Sequence, residues 1–151
     1  MKPIVLMPTY NEKASIKSIL DQIDDIDDID VLIIDDNSPD GTADYVNSLN
    51  YKNVDILRRK EKDGLGNAYK AAIKKILSEK TYTHLISMDA DGSHRPVDLE
   101  RMLIISKEHT DAVILGSRWI PGGSIVNWPR YRKWISKAGT WYAKIALKMD
   151  L

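Results

Sequence analysis

There is no cysteine in this 151-residue sequence, which excludes disulfides and thiolate-bound metals. Any resident metal must be held by oxygen or imidazole, a donor set that suits hard cations such as Mg²⁺ or Mn²⁺. Net charge is missing too: 22 Lys and Arg offset 22 Asp and Glu, so bulk charge gives no reason to expect a nucleic-acid partner. Long apolar runs are also absent. No stretch approaches the roughly 18–20 apolar residues that a membrane-spanning helix needs. Met1-Lys2-Pro3 leads into Ile4–Met7, a run far too short for the core of a signal peptide. The expected setting is cytoplasmic, with peripheral membrane contact left open.

What is present is unevenly spread. The length predicts a single domain large enough to bury a core. Acidic residues crowd the region from Asp21 to Asp36, whereas Arg118 to Met149 holds seven Lys or Arg and no carboxylate. So one-sided a segment suggests an anionic partner: a phosphate, a nucleic acid or a membrane surface. All four tryptophans, Trp119, Trp128, Trp134 and Trp141, fall inside it. Interleaved aromatic and basic residues suit an element lying in a membrane interface. They suit equally a core layer, or an interface with a further part of the protein. The organisation expected is a core over residues 1–117 followed by a basic, Trp-rich segment, 118–151, of the same domain.

Short apolar runs alternate with helical spacing along the chain. Ile4–Met7, Val31–Ile34, Val54–Leu57, His84–Met88 and Ala112–Leu115 each stop at polar or turn residues, as buried parallel strands do. Between them Ile16, Ile19, Leu20 and Ile23 have helical spacing, as do Tyr69, Ala72, Ile73 and Ile76 with Leu77 following. Asn11 and Asp40 suit helix N-caps and Pro96 a first helical turn. The pattern predicts an α/β domain with a mainly parallel open sheet and right-handed crossovers. Ligands of such sheets bind beyond the carboxyl ends of the strands. Four polar clusters follow the runs: Pro8–Glu12, Asp35–Thr42, Asp89–His94 and Gly116–Arg118. They are expected to converge on one edge.

Asp89 and Asp91, two apart at the end of an apolar run, can turn both carboxylates to one side of a strand. Like charges that close favour a cation between them, and a divalent metal would bridge them to a diphosphate. An acidic turn or a helix cap explains the same residues without a ligand. Asp36 is read as a carboxylate for a base or ribose, whereas Ser38 to Gly41 read as turn and cap. Gly64-Leu65-Gly66-Asn67-Ala68 either offers amides to a phosphate or is simply a tight loop; it matches neither common glycine fingerprint. Arg118 could clamp a diphosphate. Arg132 and Ser136, four apart, could hold a second anion on one helix face, or belong to a solvated basic face. His94 is either a metal ligand or a hydrogen-bonded structural residue.

The motifs Pro8-Thr9-Tyr10-Asn11-Glu12, Asp35 to Thr42, Gly64 to Tyr69, Met88-Asp89-Ala90-Asp91-Gly92-Ser93-His94 and Gly116-Ser117-Arg118-Trp119 occur in an order that resembles family 2 glycosyltransferases. With Arg132-Lys133-Trp134-Ile135-Ser136 they resemble more narrowly the dolichol-phosphate (polyprenol-phosphate) mannose synthases. That resemblance implies a GT-A, Rossmann-like fold with helices on both sheet faces, and inverting transfer of mannose from GDP-mannose to a polyprenyl or dolichyl phosphate. It implies that Pro8, Tyr10, Glu12, Ile34 and Asp36 hold the nucleotide, and that Asp89, Ala90 and Asp91 bind the metal and diphosphate, with Asp91 and Arg118 catalytic. It also implies that Arg118 touches the donor phosphates while Arg132 and Ser136 meet the lipid phosphate. Ser93 stands where the family often has Gln. Such enzymes continue well beyond the equivalent of Leu151, so the chain reads as C-terminally truncated, with a further region or an anchoring subunit at the cytoplasmic face of the endoplasmic reticulum or plasma membrane. A UDP-sugar donor, a polysaccharide acceptor, or a non-catalytic nucleotide-binding role are the alternatives.

Overall fold

The computed structural model describes residues 1–79, 81–117, 119, 120, 123 and 129–148. The chain forms two compact units, Met1–Glu108 and His109–Leu151, dividing slightly before the 117/118 boundary read from sequence.

In the first unit strands and helices alternate: β1 (Pro3–Thr9), α1 (Ile16–Asp24), β2 (Asp30–Asp35), α2 (Thr42–Leu49), β3 (Val54–Arg58), α3 (Leu65–Glu79), β4 (His84–Ser87) and α4 (Pro96–Glu108). The sheet is wholly parallel in the order β3-β2-β1-β4. The two central strands are apolar at nearly every position because both of their faces are covered. Successive side chains of a strand alternate between faces, and the core divides accordingly. Val5, Met7, Val31 and Ile33 pack with Ile16, Ile19, Leu20 and Ile23 of α1, Val46 of α2 and Leu99 of α4. Ile4, Leu6, Leu32 and Ile34 pack with Ala68, Ala72 and Ile76 of α3. Helices therefore cover both faces, as expected.

Local chemistry sets the helix starts. The Asp40 carboxylate accepts from the Thr42 amide at 2.9 Å and the Thr42 hydroxyl at 2.6 Å, so its side chain serves the entry to α2 from one residue ahead of the cap position at Gly41. Gly41 has φ 76°, a conformation a side chain would disfavour. Pro96 opens α4 as expected. Asn11 does not cap α1. It sits at φ 62° in the preceding turn, and the Glu12 carbonyl receives the amides of Ser15 and Ile16, which delays the helix to Ile16.

One further expectation is corrected. Ala112–Leu115, which begins the second unit's apolar run, forms no strand, and Val113 is 81% exposed. A run becomes a strand only where a neighbour takes its N–H and C=O groups, and among the described residues none pairs with it. On α3 the buried row is Ala68, Ala72 and Ile76, while Ile73 and Leu77 face outward. Both rows have helical spacing; the alanine row lies against the sheet. The second unit contributes one described helix, α5 (Arg130–Leu147).

Ile33 is fully buried at the centre of the sheet. Ile33→Ala is expected to cost about 2–5 kcal/mol of stability, measured by urea denaturation followed by circular dichroism.

Candidate active site

The chain steps from β1 outward through β2 to β3, then crosses to the opposite side of β1 for β4. That reversal places the topological switch point between β1 and β4, beyond whose carboxyl ends open α/β sheets bind ligands. The clusters Pro8–Glu12 and Asp89–His94 flank it, and the cluster after β2 lies on the other side of β1.

The loops at this edge are fixed by buried carboxylate chemistry. Asp35, at the end of β2, accepts from the Thr9 hydroxyl at 3.0 Å, the Ser38 hydroxyl at 2.6 Å and the Ser38 amide at 3.0 Å. The Asn11 amide donates to the Ser38 hydroxyl at 3.1 Å, the Glu12 amide to the Thr42 hydroxyl at 3.0 Å, and the Lys13 amide to Asp40 at 3.1 Å. The β1–α1 and β2–α2 loops are thereby laced together.

Asp36 is 7% exposed and pairs with Arg59, whose guanidinium donates to its Oδ1 at 2.6 Å. The same guanidinium reaches Asp63, and the Arg59 amide donates to the Asp35 carbonyl at 2.8 Å. Beside them Lys62 Nζ lies 3.8 Å from the centroid of the half-exposed Tyr10 ring, a cation–π contact. Arg59, Lys62 and Asp63 were not singled out from sequence. The charge-dense run Arg58 to Asp63 directly after a predicted strand was the available signal.

β4 ends at Ser87, so Asp89 and Asp91 lie in the bend that follows rather than on the strand. Local contacts, not the pleat, orient them. The Met88 amide donates to the Leu6 carbonyl at 3.2 Å. The Ser93 amide donates to Asp91 Oδ1 at 2.8 Å, and this bond with that of the Ser93 side chain holds the Asp91 carboxyl below the usual carboxylate range. His94 Nδ1 lies 2.9 Å from the Asp89 amide, so that ring nitrogen serves the loop. Tyr69 and Ser87 hydroxyls meet at 2.5 Å, and burial pushes the Tyr69 phenol up, with the Asp89 charge adding to it.

Among the described residues no group of three or more His, Cys, Asp or Glu could hold a metal. Asp89 and Asp91 supply two hard carboxylate ligands, of which Asp91 is ionised at neutral pH. That donor set fits Mg²⁺ or Mn²⁺, which bind through one or two carboxylates plus substrate phosphates and waters.

The remaining candidates are placed unevenly. Pro8 is half-buried on β1, and Glu12 accepts from the Ser15 hydroxyl at 2.7 Å. Ile34 and Ala90 are buried, so their side chains support the edge from beneath and present no surface to a ligand. Arg118 and Trp128 lie outside the described residues. The cluster Gly116–Arg118 follows no strand and belongs to the second unit. Arg132 and Ser136 both lie on α5. The Ser136 hydroxyl accepts from the Trp119 indole at 3.3 Å, and Lys137 Nζ lies 4.9 Å from the Trp119 ring. Tyr131, Trp134, Ile135, Trp141, Tyr142 and Ile145 are exposed along the same helix. Among the described residues no helix is long and apolar enough to cross a membrane.

The model of Glycosyl transferase family 2 matches residues 4–149. The chain belongs to that family. Similar proteins include an undecaprenyl-phosphate mannosyltransferase from Micrococcus luteus, 44% identical across 100% of this chain and 62% of that protein. A polyprenol monophosphomannose synthase from Mycolicibacterium smegmatis is 37% identical over 99% of this chain and 57% of its own length. A dolichol-phosphate mannosyltransferase from Pyrococcus furiosus is 33% identical over 97% and 42%. The chain thus spans less than two thirds of each of these relatives. Among solved structures, residues 1–349 of S. aureus TarS share the fold, with TM-score 0.59 and 20% identity over 78% of this chain and 39% of that one.

The lacing of the loops should titrate. Burial tends to raise the Asp40 carboxyl, but hydrogen bonds from the Thr42 hydroxyl and from the Lys13 and Thr42 amides outweigh it and hold the group below its ordinary value. A lowered folded pKa gives stability that is complete above the unfolded value of about 4 and is lost as pH falls through the folded value. Asp40→Ala should therefore lower Tm at pH 7, and its gap from wild type should narrow at pH 3.

Proposed function

We propose that this family 2 protein transfers mannose from GDP-mannose to a polyprenyl phosphate, with inversion at the sugar. The observation that carries the proposal is the gathering of polar clusters at the carboxyl ends of the parallel strands: Tyr10 after β1, Asp36 with Arg59 after β2 and β3, and Asp89 and Asp91 after β4. The names of the relatives that match over the whole chain point to the same sugar and the same class of lipid acceptor.

In this reading Asp36, held by Arg59, accepts from the base or ribose, and the exposed Tyr10 ring offers a stacking surface. Asp89 and Asp91 hold Mg²⁺ or Mn²⁺, which when bound offsets charge on the diphosphate leaving group. Arg118 adds a second positive group for those phosphates. The acceptor is a phosphate monoester, already ionised at neutral pH. One of its oxygens attacks the anomeric carbon directly. The C–O bond to the β-phosphate breaks, its electron pair leaves with GDP, and no proton has to be removed. Catalysis is then positioning plus charge stabilisation.

Arg132 and Ser136 are assigned to the acceptor phosphate. A hydroxyl that accepts from the Trp119 indole keeps its own O–H to donate. The exposed aromatic and aliphatic row on α5, bordered by Lys133, Lys137 and Lys144, suits a membrane interface. We place the protein peripherally at a cytoplasmic membrane face, where the lipid acceptor is found.

The test is release of GDP from GDP-mannose in the presence of vesicles carrying undecaprenyl phosphate. Release should require Mn²⁺ or Mg²⁺ together with the lipid phosphate, and Asp91→Ala should lower kcat/KM by about 10²–10³-fold. Turnover of a UDP-sugar without turnover of GDP-mannose overturns the donor. Binding of GDP and Mn²⁺ without turnover, where a longer form turns over, assigns a binding role to this chain.

A further inference from the structure

The imidazole of His94 is bound to the main chain of the residue whose carboxylate it also faces. Its Nδ1 accepts the Asp89 N–H at 2.9 Å. Its Nε2 lies 3.8 Å from Asp89 Oδ2, beyond hydrogen-bond range. A ring nitrogen that accepts carries no proton, so the neutral ring bears its hydrogen on Nε2. The segment from Asp89 to His94 is therefore closed on itself, with the amide at one end held by the ring at the other. Inside the closure Gly92 takes φ 76° and the Ser93 amide fixes Asp91.

This closure matters because neither carboxylate sits on a strand. The last sheet bond at this edge is the Met88 amide to the Leu6 carbonyl, one residue before Asp89. Beyond it, the direction of the Asp89 backbone is set by the ring of His94. Both side chains are partly open, 42% exposed for His94 and 46% for Asp89, so the ring contributes little to core packing. Its bond to the Asp89 amide is the contact with a consequence for the switch point.

We infer that His94 is a positioning residue for the donor site: through Nδ1 it fixes the Asp89 peptide and so aims the Asp89 carboxylate at the cation and diphosphate. The inference rests on the reading of Asp89 and Asp91 as ligands of a divalent cation. It assigns the work to one ring nitrogen, and that assignment is separable from a general need for the ring. Asparagine places an acceptor oxygen where Nδ1 stands. Glutamine places its amide near Nε2 and leaves the Nδ1 position empty.

The experiment measures Mn²⁺ affinity in the presence of saturating GDP, by electron paramagnetic resonance of free Mn²⁺, for the wild-type 151-residue chain and the variants His94→Ala, His94→Asn and His94→Gln. Metal-free Tm is recorded for each. The Ala and Gln variants should bind Mn²⁺ about 10- to 100-fold more weakly, the range for loss of a group that orients a metal ligand. The Asn variant should stay close to wild type, with Tm values that do not follow the affinities. Should His94→Ala fail to fold, the comparison of Asn with Gln decides. An Ala variant with wild-type affinity, an Asn variant no better than Gln, or affinities that simply track Tm each overturn the inference. Failure of the wild type itself to bind Mn²⁺ with GDP overturns the metal reading and this inference together, whereas wild-type binding that the variants leave unchanged overturns only the role of His94.

Discussion

The carboxylate of Asp35 is the point on which the ligand-facing edge of the sheet depends. It is almost fully buried yet receives three hydrogen bonds, from Thr9 on β1 and from both the amide and hydroxyl of Ser38. A buried carboxylate without donors is costly, so the loop after β2 has little freedom to take another path. The Asp35 carbonyl also receives the Arg59 amide, and the neighbouring Asp36 amide reaches the Thr9 carbonyl. One residue thus ties the ends of β1, β2 and β3. Asp36 and Arg59 meet where they do because the backbone on both sides of their pair is already fixed.

From this follows a division of labour among acidic residues that look alike in sequence. Asp35 and Asp40 spend their oxygens on backbone and hydroxyl donors and are structural. Asp36 is matched by a guanidinium, and Asp89 and Asp91 lie in the bend after β4. The surroundings of the latter three differ accordingly. The even overall charge conceals this partition, since the first unit carries both signs while the segment from Arg118 to Met149 carries only basic residues.

Four strands and the two-sided core were legible because the central strands are apolar at consecutive positions, a pattern few other structures need. The residues Tyr10 to Glu12, Asp36 and Asp89 to Asp91 stood out as candidates because they follow those strands. Arg59 and Lys62 were not, since their partners lie far away in sequence: Arg59 meets Asp36 across 23 positions, and Lys62 covers Tyr10. No local pattern encodes such pairs. Ala112–Leu115 shows the converse. Its composition suits a strand, but pairing is a property of two segments, and sequence supplied only one.

The order of strands has a consequence for how the chain assembles. β1 is synthesised first and is flanked early by β2, but its other side stays unpaired until β4 has emerged, with Lys2 finding Thr83 across 81 positions. Closing so long a loop is entropically slow relative to forming the β1–β2 contacts. For that interval a central, apolar strand has an open hydrogen-bonding edge, the kind of edge that invites pairing with another chain. The segment that completes the switch point is therefore also the one that ends the period of greatest vulnerability to aggregation, and a nascent chain stopped short of residue 87 would carry that exposed edge permanently.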